Sequence, residues 1–282
     1  MRFLFVDKIT RRTRDEVHGD VRLGPQAPLR YARAGGAAVV APGAVSEAIG
    51  QLASWLCLER NGFTARPVFL FADAITVARE VPAGNTVELS ARVTSMDEES
   101  FVFSGEARFD GEVVQTIANC NGYFMPLAEL EDPETTIKRF QAMIDGGVRQ
   151  FDDEGPAFPF ASLLETVEQS ADKIVCRATF EAASPFYKDH FPRFPVTPIV
   201  ILNETIGAAA QRLLAPRQNQ ILRVRRIQDI KIRSFVKPGE TVEAQIKVES
   251  RDGDRIRTVT DLVKDGKRIM RGVYDYQLTE QI

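Results

Sequence analysis

The sequence predicts an α+β protein made of two copies of one unit, each an antiparallel sheet wrapped around a buried helix. Three observations indicate this: an internal repeat, alternation of apolar and polar residues around it, and one apolar helical segment in each copy. The segment VPAGNTVE, Val81–Glu88, recurs as VKPGETVE, Val236–Glu243. The same offset of 155 residues relates Asp110–Gly111 to Asp265–Gly266.

Strands are expected on both sides of each repeated Asp-Gly pair. Residues of alternating character precede the pair in both copies, which is typical of half-buried strands. An Asp-Gly pair between two such runs favours a tight hairpin. The alternating apolar residues are Val87, Leu89, Ala91 and Val93 in the first copy and Val242, Ala244, Ile246 and Val248 in the second.

One helix is expected ahead of the strands in each copy. The helices are predicted over Ala44–Arg60 and Val200–Leu214, with proline near each start and Gly62 or Pro216 just beyond each end. Both segments are apolar on nearly every face, so each helix must be enclosed by its sheet.

The remaining segments complete the predicted organisation. Residues 3–9, FLFVDKI, are expected to form a first strand. An acidic, Gly- and Pro-rich stretch with a short amphipathic helix at Thr136–Ile144 interrupts the strand pattern and is interpreted as a linker. We therefore predict a first unit at residues 1–128, a linker at 129–160 and a second unit at 161–282. A chain with both units needs no partner to complete a site, although a homo-oligomer is possible.

Composition excludes several classes of function. The 282 residues carry 36 basic and 39 acidic side chains, a net charge of −3, which argues against a nucleic-acid partner. No apolar stretch approaches the roughly 20 residues of a membrane span, and the N-terminus lacks the features of a secretory signal. The three cysteines, Cys57, Cys120 and Cys176, follow no metal-ligand pattern. We expect reduced thiols, no metal and a cytoplasmic location.

Two histidines limit the candidates for acid–base chemistry. His18 lies among charged residues and is interpreted as a solvated loop histidine. His190 lies among aromatics in a segment that Pro192, Pro195 and Pro198 make rigid and irregular. Catalytic side chains are often placed on such loops, and a packed structural histidine is the alternative.

The segment that begins at His190 resembles a family signature. HFPRFPVTPIVILNE, residues 190–204, is similar to the motif of the hotdog-fold 3-hydroxyacyl-(acyl carrier protein) dehydratases, roughly H-F-P-G-x-P-V-M-P-G-V-L-x-x-E. Glu204 stands 14 positions after His190, which is the spacing in that motif. APGAVSEAIGQ, residues 41–51, resembles the start of the same helix, one residue shorter, with Glu47 as its acid. The resemblance implies a tandem form, a double hotdog.

The sequence departs from the family pattern in two ways. Asp189, Arg193 and Ile199 stand where the family has glycine. The first copy also has no histidine, because the corresponding position falls on Arg33 or Ala34.

The resemblance implies how the site is assembled. In these dehydratases the histidine of one unit meets the acid on the central helix of the other. His190 should therefore face Glu47, while Glu204 should face Arg33 or Ala34 as a relic whose charge is satisfied locally. The candidate catalytic residues are His190, Glu47 and Glu204; the candidates for oxyanion or substrate binding are Ile199, through its backbone N–H, with Phe191, Pro198 and Gly43.

The implied activity is that of a hydro-lyase. It would dehydrate 3-hydroxyacyl thioesters, linked to acyl carrier protein or CoA, to trans-2-enoyl thioesters in fatty-acid or related synthesis, without a cofactor. His190 would take the C2 proton, and Glu47 would either donate a proton to the leaving hydroxyl or, if ionised, orient the leaving water. A degenerate acyl-binding protein and a hotdog thioesterase are the alternatives.

A group of basic residues bears on the carrier. An acidic carrier protein would suit the cationic cluster in the second copy, for which a solvated strand face is the alternative. Its members are Arg223, Arg225, Arg226, Lys231 and Arg233.

Overall fold

Most of the strands form one antiparallel sheet in a computed structural model of the chain. The structure describes residues 3–24, 29–32, 38–148, 160–215, 217 and 219–280. In chain order the elements are β1 (Lys8–Arg12), β2 (Glu16–Leu23), β3 (Arg30–Ala32), β4 (Ala38–Val40), α1 (Pro42–Arg60), β5 (Ala65–Val77), β6 (Asn85–Met96), β7 (Ser100–Phe109), β8 (Glu112–Pro126), α2 (Leu127–Leu130), α3 (Pro133–Asp145), β9 (Leu164–Gln169), β10 (Lys173–Thr179), α4 (Ile199–Leu214), β11 (Gln220–Ile232), β12 (Thr241–Asp252), β13 (Arg255–Lys264) and β14 (Lys267–Glu280).

The two halves of the chain build matching halves of this sheet. Within the described residues it has twelve strands in the order β1-β2-β6-β7-β8-β5-β11-β14-β13-β12-β10-β9, and β3 and β4 form a separate pair. The two predicted sheets are thus continuous, because β5 and β11 pair antiparallel from Thr76 opposite Arg226 to Phe71 opposite Lys231. This pairing satisfies the backbone groups that two separate sheets would leave exposed at their edges.

The predicted hairpins and central helices are confirmed. Asp110 and Gly111 have φ values of 56° and 76°, and Asp265 and Gly266 have 51° and 71°. Positive φ at both central residues is the geometry of a type I′ turn. Both α1 and α4 begin two residues or fewer before their predicted starts, and each is largely buried under its half of the sheet. The fold is a double hotdog.

The prediction of a first strand over residues 3–9 is wrong for its first half. The strand begins at Lys8, and residues 3–6 are buried without regular structure. Their backbone N–H groups donate hydrogen bonds to side chains rather than to a neighbouring strand. Phe3 N–H donates to Asp189 Oδ2 and Phe5 N–H to Gln51 Oε1, both at 2.9 Å. The loop interpretation of His18 is also wrong, because His18 lies within β2 opposite Ser90.

The linker region begins with two helices. The predicted helix at Thr136–Ile144 starts earlier, at Pro133, because the Asp132 side chain accepts from Thr135 N–H as an N-cap. The four-residue helix α2 precedes it and spans the predicted boundary at residue 128. Residues 149–159 lie outside the described part of the chain. The division into units at 128 and 161 therefore stays a prediction.

None of the described helices combines the length and the apolar character needed to cross a bilayer. The three cysteines are free and buried.

Candidate active site

A cavity lies between α1 and α4, where the two halves of the sheet meet. It encloses about 690 Å³ of space, including the part open to solvent. Polar groups converge on an otherwise apolar wall, which is the usual composition of a small-molecule site. The first half of the chain lines it with Glu47, Gln51 and Ser54 from α1 and with Arg66, Pro67, Val68 and Phe69 from β5. The second half lines it with His190, Phe191, Val196 and Thr197 from the loop before α4, with Ile199 and Leu202 from α4, and with Ile232, Ser234, Phe235 and Val236 at and after the end of β11.

His190 reaches this cavity as a neutral base. Its Nδ1 lies 3.0 Å from the carbonyl oxygen of Val196. A carbonyl can only accept, so Nδ1 carries the proton and Nε2 keeps its lone pair. Burial lowers the pKa of His190 to about 3, and the positive charge of Arg66 also lowers it, against the opposing effect of the Val196 hydrogen bond. The ring is therefore uncharged at neutral pH.

Phe191 and Pro198 fix the path of the histidine loop. Phe191 has a φ of 56°, and its ring stacks on His190 with 4.3 Å between centroids. A non-glycine residue in this conformation is strained by about 1–3 kcal/mol and needs its surroundings to hold it there. Phe191 packs against Val68, Leu130 and Val196. Pro198 is the N-cap of α4 rather than a cavity-lining residue.

Glu47 lies on the opposite helix with its carboxyl group held by Gln51. Gln51 Nε2 donates to Glu47 Oε1 at 2.8 Å and to the Phe3 carbonyl at 3.1 Å, while Gln51 Oε1 accepts from Phe5 N–H. These three bonds fix the orientation of the amide. Burial raises the pKa of Glu47 to about 7, which the Gln51 bond and Arg66 only partly offset. A protonated carboxyl is therefore present at neutral pH.

The start of α4 offers a backbone donor at the same cavity. Ile199 is the first residue of this helix and lines the cavity, and the N-cap Pro198 provides no side-chain acceptor. No acceptor within the described residues takes the Ile199 N–H. Unpaired N–H groups at a helix N-terminus favour a developing negative charge.

Glu204 and Gly43, also candidates, contact each other at the start of the other central helix, α1. Neither residue lines the cavity. Glu204 Oε1 accepts a hydrogen bond from Gly43 N–H at 2.7 Å, and the Tyr31 hydroxyl donates one to Glu204 Oε2. The expected partners Arg33 and Ala34 lie outside the described residues. The charge of Glu204 is thus met locally by Gly43 and Tyr31, and burial raises its pKa.

Among the lining residues that sequence reasoning missed, Gln51 and Arg66 matter most, because they act on Glu47 and His190. Gln51 is four positions after Glu47 on the same helix face, so an i, i+4 search would have found it. Arg66 carries no sequence signal; it forms an ion pair with Glu131, and its guanidinium lies 5.6 Å from the centre of the Phe191 ring.

A second, almost entirely apolar cavity adjoins the first. The two share Glu47, Phe69, Ile199 and Ile232, and the second spans about 530 Å³ of space, including the part open to solvent. It extends beneath β5 and β11 to Phe103, Ile117 and Cys120. No group of three or more His, Cys, Asp or Glu side chains suited to a metal occurs among the described residues.

Sequence comparisons find similar proteins for part of the chain. Residues 166–268 match the family model described as ApeI-like, ApeI dehydratase. The 3-hydroxyacyl-[acyl-carrier-protein] dehydratase FabZ of Thermotoga neapolitana is 26% identical over 102 residues, covering 36% of this chain and 72% of that protein. FabZ of Solibacter usitatus is 29% identical over 98 residues, covering 33% and 60%.

Solved structures share the fold over almost the whole chain. The dehydratase domain of PpsC from Mycobacterium tuberculosis superposes with a TM-score of 0.58 at 13% identity, covering 97% of this chain and 98% of that one. The 12:0-ACP thioesterase from Umbellularia californica gives 0.56 at 10% identity, with 94% of each chain covered. The chain is thus a hotdog-fold protein. In sequence, its second half is similar to the hotdog 3-hydroxyacyl dehydratases.

The charge state of His190 can be measured directly. We predict that its ring stays neutral from pH 8 to about pH 5, with Nδ1 protonated and Nε2 not, because burial depresses its pKa. ¹⁵N NMR of histidine-labelled protein checks this, since the chain has two histidines and a His18→Gln variant assigns the signals. A titration midpoint near the ordinary value of about 6.5 would contradict the buried, hydrogen-bonded ring.

Proposed function

We propose that the protein is a hydro-lyase that converts 3-hydroxyacyl thioesters into trans-2-enoyl thioesters. The observation that carries this proposal is that one cavity is lined by His190, a neutral base, and by Glu47, an acid whose pKa burial raises to about 7, together with Ile199, whose N–H has no acceptor among the described residues. A β-elimination needs these three elements: a base for the C2 proton, an acid for the hydroxyl and a donor for the thioester oxygen.

The reaction uses each group once. His190 Nε2 takes the proton from C2 while the thioester oxygen accepts from Ile199 N–H. The C2 electron pair forms the double bond to C3, and the C3–oxygen bond breaks as Glu47 gives its proton to the hydroxyl, which leaves as water. His190 then holds one extra proton and Glu47 lacks one, so proton exchange through water restores the starting state.

The apolar cavity supports an acyl substrate. Its walls beneath β5 and β11 hold almost no polar surface, so an alkyl chain would displace water there. Ile232 and Ser234 line the first cavity, whereas the neighbouring Lys231 and Arg233 are exposed. The exposed positive charge of Lys231 and Arg233, on the same segment of chain, supports delivery by an acidic acyl carrier protein. Arg223 and Arg225 are instead tied to the sheet, by Glu80 and by Gln277.

The turnover assay tests the proposal. Purified protein is expected to convert medium-chain 3-hydroxyacyl-CoA to product, followed by the absorbance of the conjugated enoyl thioester. His190→Ala should abolish this activity, because it removes the base and leaves the fold in place. Release of free thiol instead of enoyl product would indicate a thioesterase, and binding without turnover an acyl-binding protein.

The assignment of the acid is tested by a matched pair of variants. Glu47→Gln should lower kcat by about 10²- to 10⁴-fold, which is typical for one proton-transfer group. Glu204→Gln should lose far less, although Glu204 lies in the better-matching motif, because its carboxylate faces Gly43 and Tyr31. A larger loss in Glu204→Gln would assign the acid to the second unit.

The pH dependence follows from the two pKa values. The Glu47 carboxyl has a raised pKa of about 7, so its acid form is present below pH 7 and is lost as the pH rises. His190 stays neutral above about pH 5 and adds no limb there. We expect kcat/KM to be level between about pH 5 and 6 and to fall tenfold per unit above about pH 7. A rise through pH 7 would mean that ionised Glu47 is required.

A further inference from the structure

The loop that carries His190 receives little support from its own sheet. It runs from the end of β10 at Thr179 to the start of α4 at Ile199 without a strand. Within this loop, Phe191 holds a positive φ directly beside His190. Contacts from outside the loop must therefore help to keep the ring in place.

Asp189 and Arg193 join this loop to the first half of the chain by hydrogen bonds. Asp189 Oδ2 accepts from Phe3 N–H. Arg193 is bound more extensively, because its backbone N–H donates to the Leu130 carbonyl at 2.9 Å and its Nη1 donates to the Ala128 carbonyl at 2.8 Å. Its Nη2 also lies 3.3 Å from Asp132 Oδ1.

We infer that Arg193 is a positioning residue, which holds the histidine loop against α2 through its guanidinium and so keeps His190 in the geometry that proton abstraction needs. The inference rests on the proposed function for its catalytic consequence. Its structural content, the link from α2 to the ring, stands on the contacts alone.

The link from Arg193 to His190 is short and stiff. Phe194 N–H donates to the Phe191 carbonyl at 2.8 Å, which closes a turn around Pro192 and Arg193. Proline fixes one φ angle inside this turn. A displacement of Arg193 is therefore transmitted to Phe191, whose ring stacks on His190.

The side chain supplies what the backbone alone does not. Any residue but proline at position 193 keeps the bond to the Leu130 carbonyl, but a side chain is needed to reach Ala128 and Asp132. The carbonyls at the end of a short helix lack helical partners, so an arginine that binds one of them satisfies both groups. Position 193, where the resembling motif has glycine, thus gains a contact between the two halves of the chain.

The test compares Arg193→Ala with a matched surface control. Arg177→Ala is that control, because Arg177 is also half-exposed, 43% against 49%, and also pairs with carboxylates, but lies within β10 and outside the loop. Arg193→Lys is the conservative variant, since Nζ can donate to the Ala128 carbonyl. The readouts are ¹⁵N NMR of His190, kcat and KM with 3-hydroxyacyl-CoA, and the thermal midpoint.

We expect three results for Arg193→Ala. The His190 Nδ1 signal shifts or broadens, and its pKa rises toward the ordinary value as the ring is exposed. The value of kcat falls about 10- to 100-fold while KM changes less than about twofold, because a small misplacement of a reacting group lowers the rate of the chemical step strongly. Arg193→Lys recovers most of both effects, and Arg177→Ala shows neither.

Each alternative result has one meaning. The inference is overturned if His190 signals in Arg193→Ala match those in Arg177→Ala. It is also overturned if kcat in Arg193→Ala falls only as far as the thermal midpoint falls, and if Arg193→Lys restores neither value. Should Arg193→Ala not fold, the same comparison is made with Arg193→Gln, which keeps part of the stem. If the wild type shows no turnover while the NMR difference persists, the proposed function fails and the positioning role stands.

Discussion

The antiparallel pairing of β5 with β11 is the constraint on which the rest of the structure depends. It makes one sheet of the two halves and brings α1 and α4 into contact beneath the seam. Both cavities lie there, with Phe69 from β5 and Ile232 from β11 in the wall of each. A site with its base from one half and its acid from the other is possible only because backbone hydrogen bonds fix the halves relative to each other.

The two helix N-termini at this seam are chemically different. The first N–H of α1 belongs to Gly43 and is taken by Glu204, whose Oε1 would lie 2.6 Å from a Cβ at that position. Only glycine permits this approach. The corresponding N–H of α4, at Ile199, has no such acceptor among the described residues, and Glu47 bonds to Gln51 instead. The asymmetry leaves one helix end free for a substrate oxygen and closes the other with the chain's own carboxylate.

The fold could be predicted from sequence because its signals are local. Alternation, Asp-Gly turns and two apolar helices each involve residues close in the chain. The contacts that complete the site are not local: Tyr31 meets Glu204 across 173 residues, and Arg66 meets Glu131 across 65. No periodicity marks such pairs. The N-terminal segment misled for the same reason, since its buried backbone bonds to Gln51 and Asp189 rather than to a neighbouring strand.

Asp189 and Arg193, which stand where the resembling motif has glycine, are therefore poor evidence that the protein is a degenerate, non-catalytic relative. A loop that no longer served a function would be expected to lose contacts, whereas Asp189 and Arg193 add hydrogen bonds to the first half of the chain. His190 retains a defined tautomer through Val196, and burial keeps it neutral. Burying such polar groups is unfavourable unless each is hydrogen-bonded or paired. The chain meets that requirement at His190, Glu47 and Arg66 together, an arrangement that the packing of an inert core would not require.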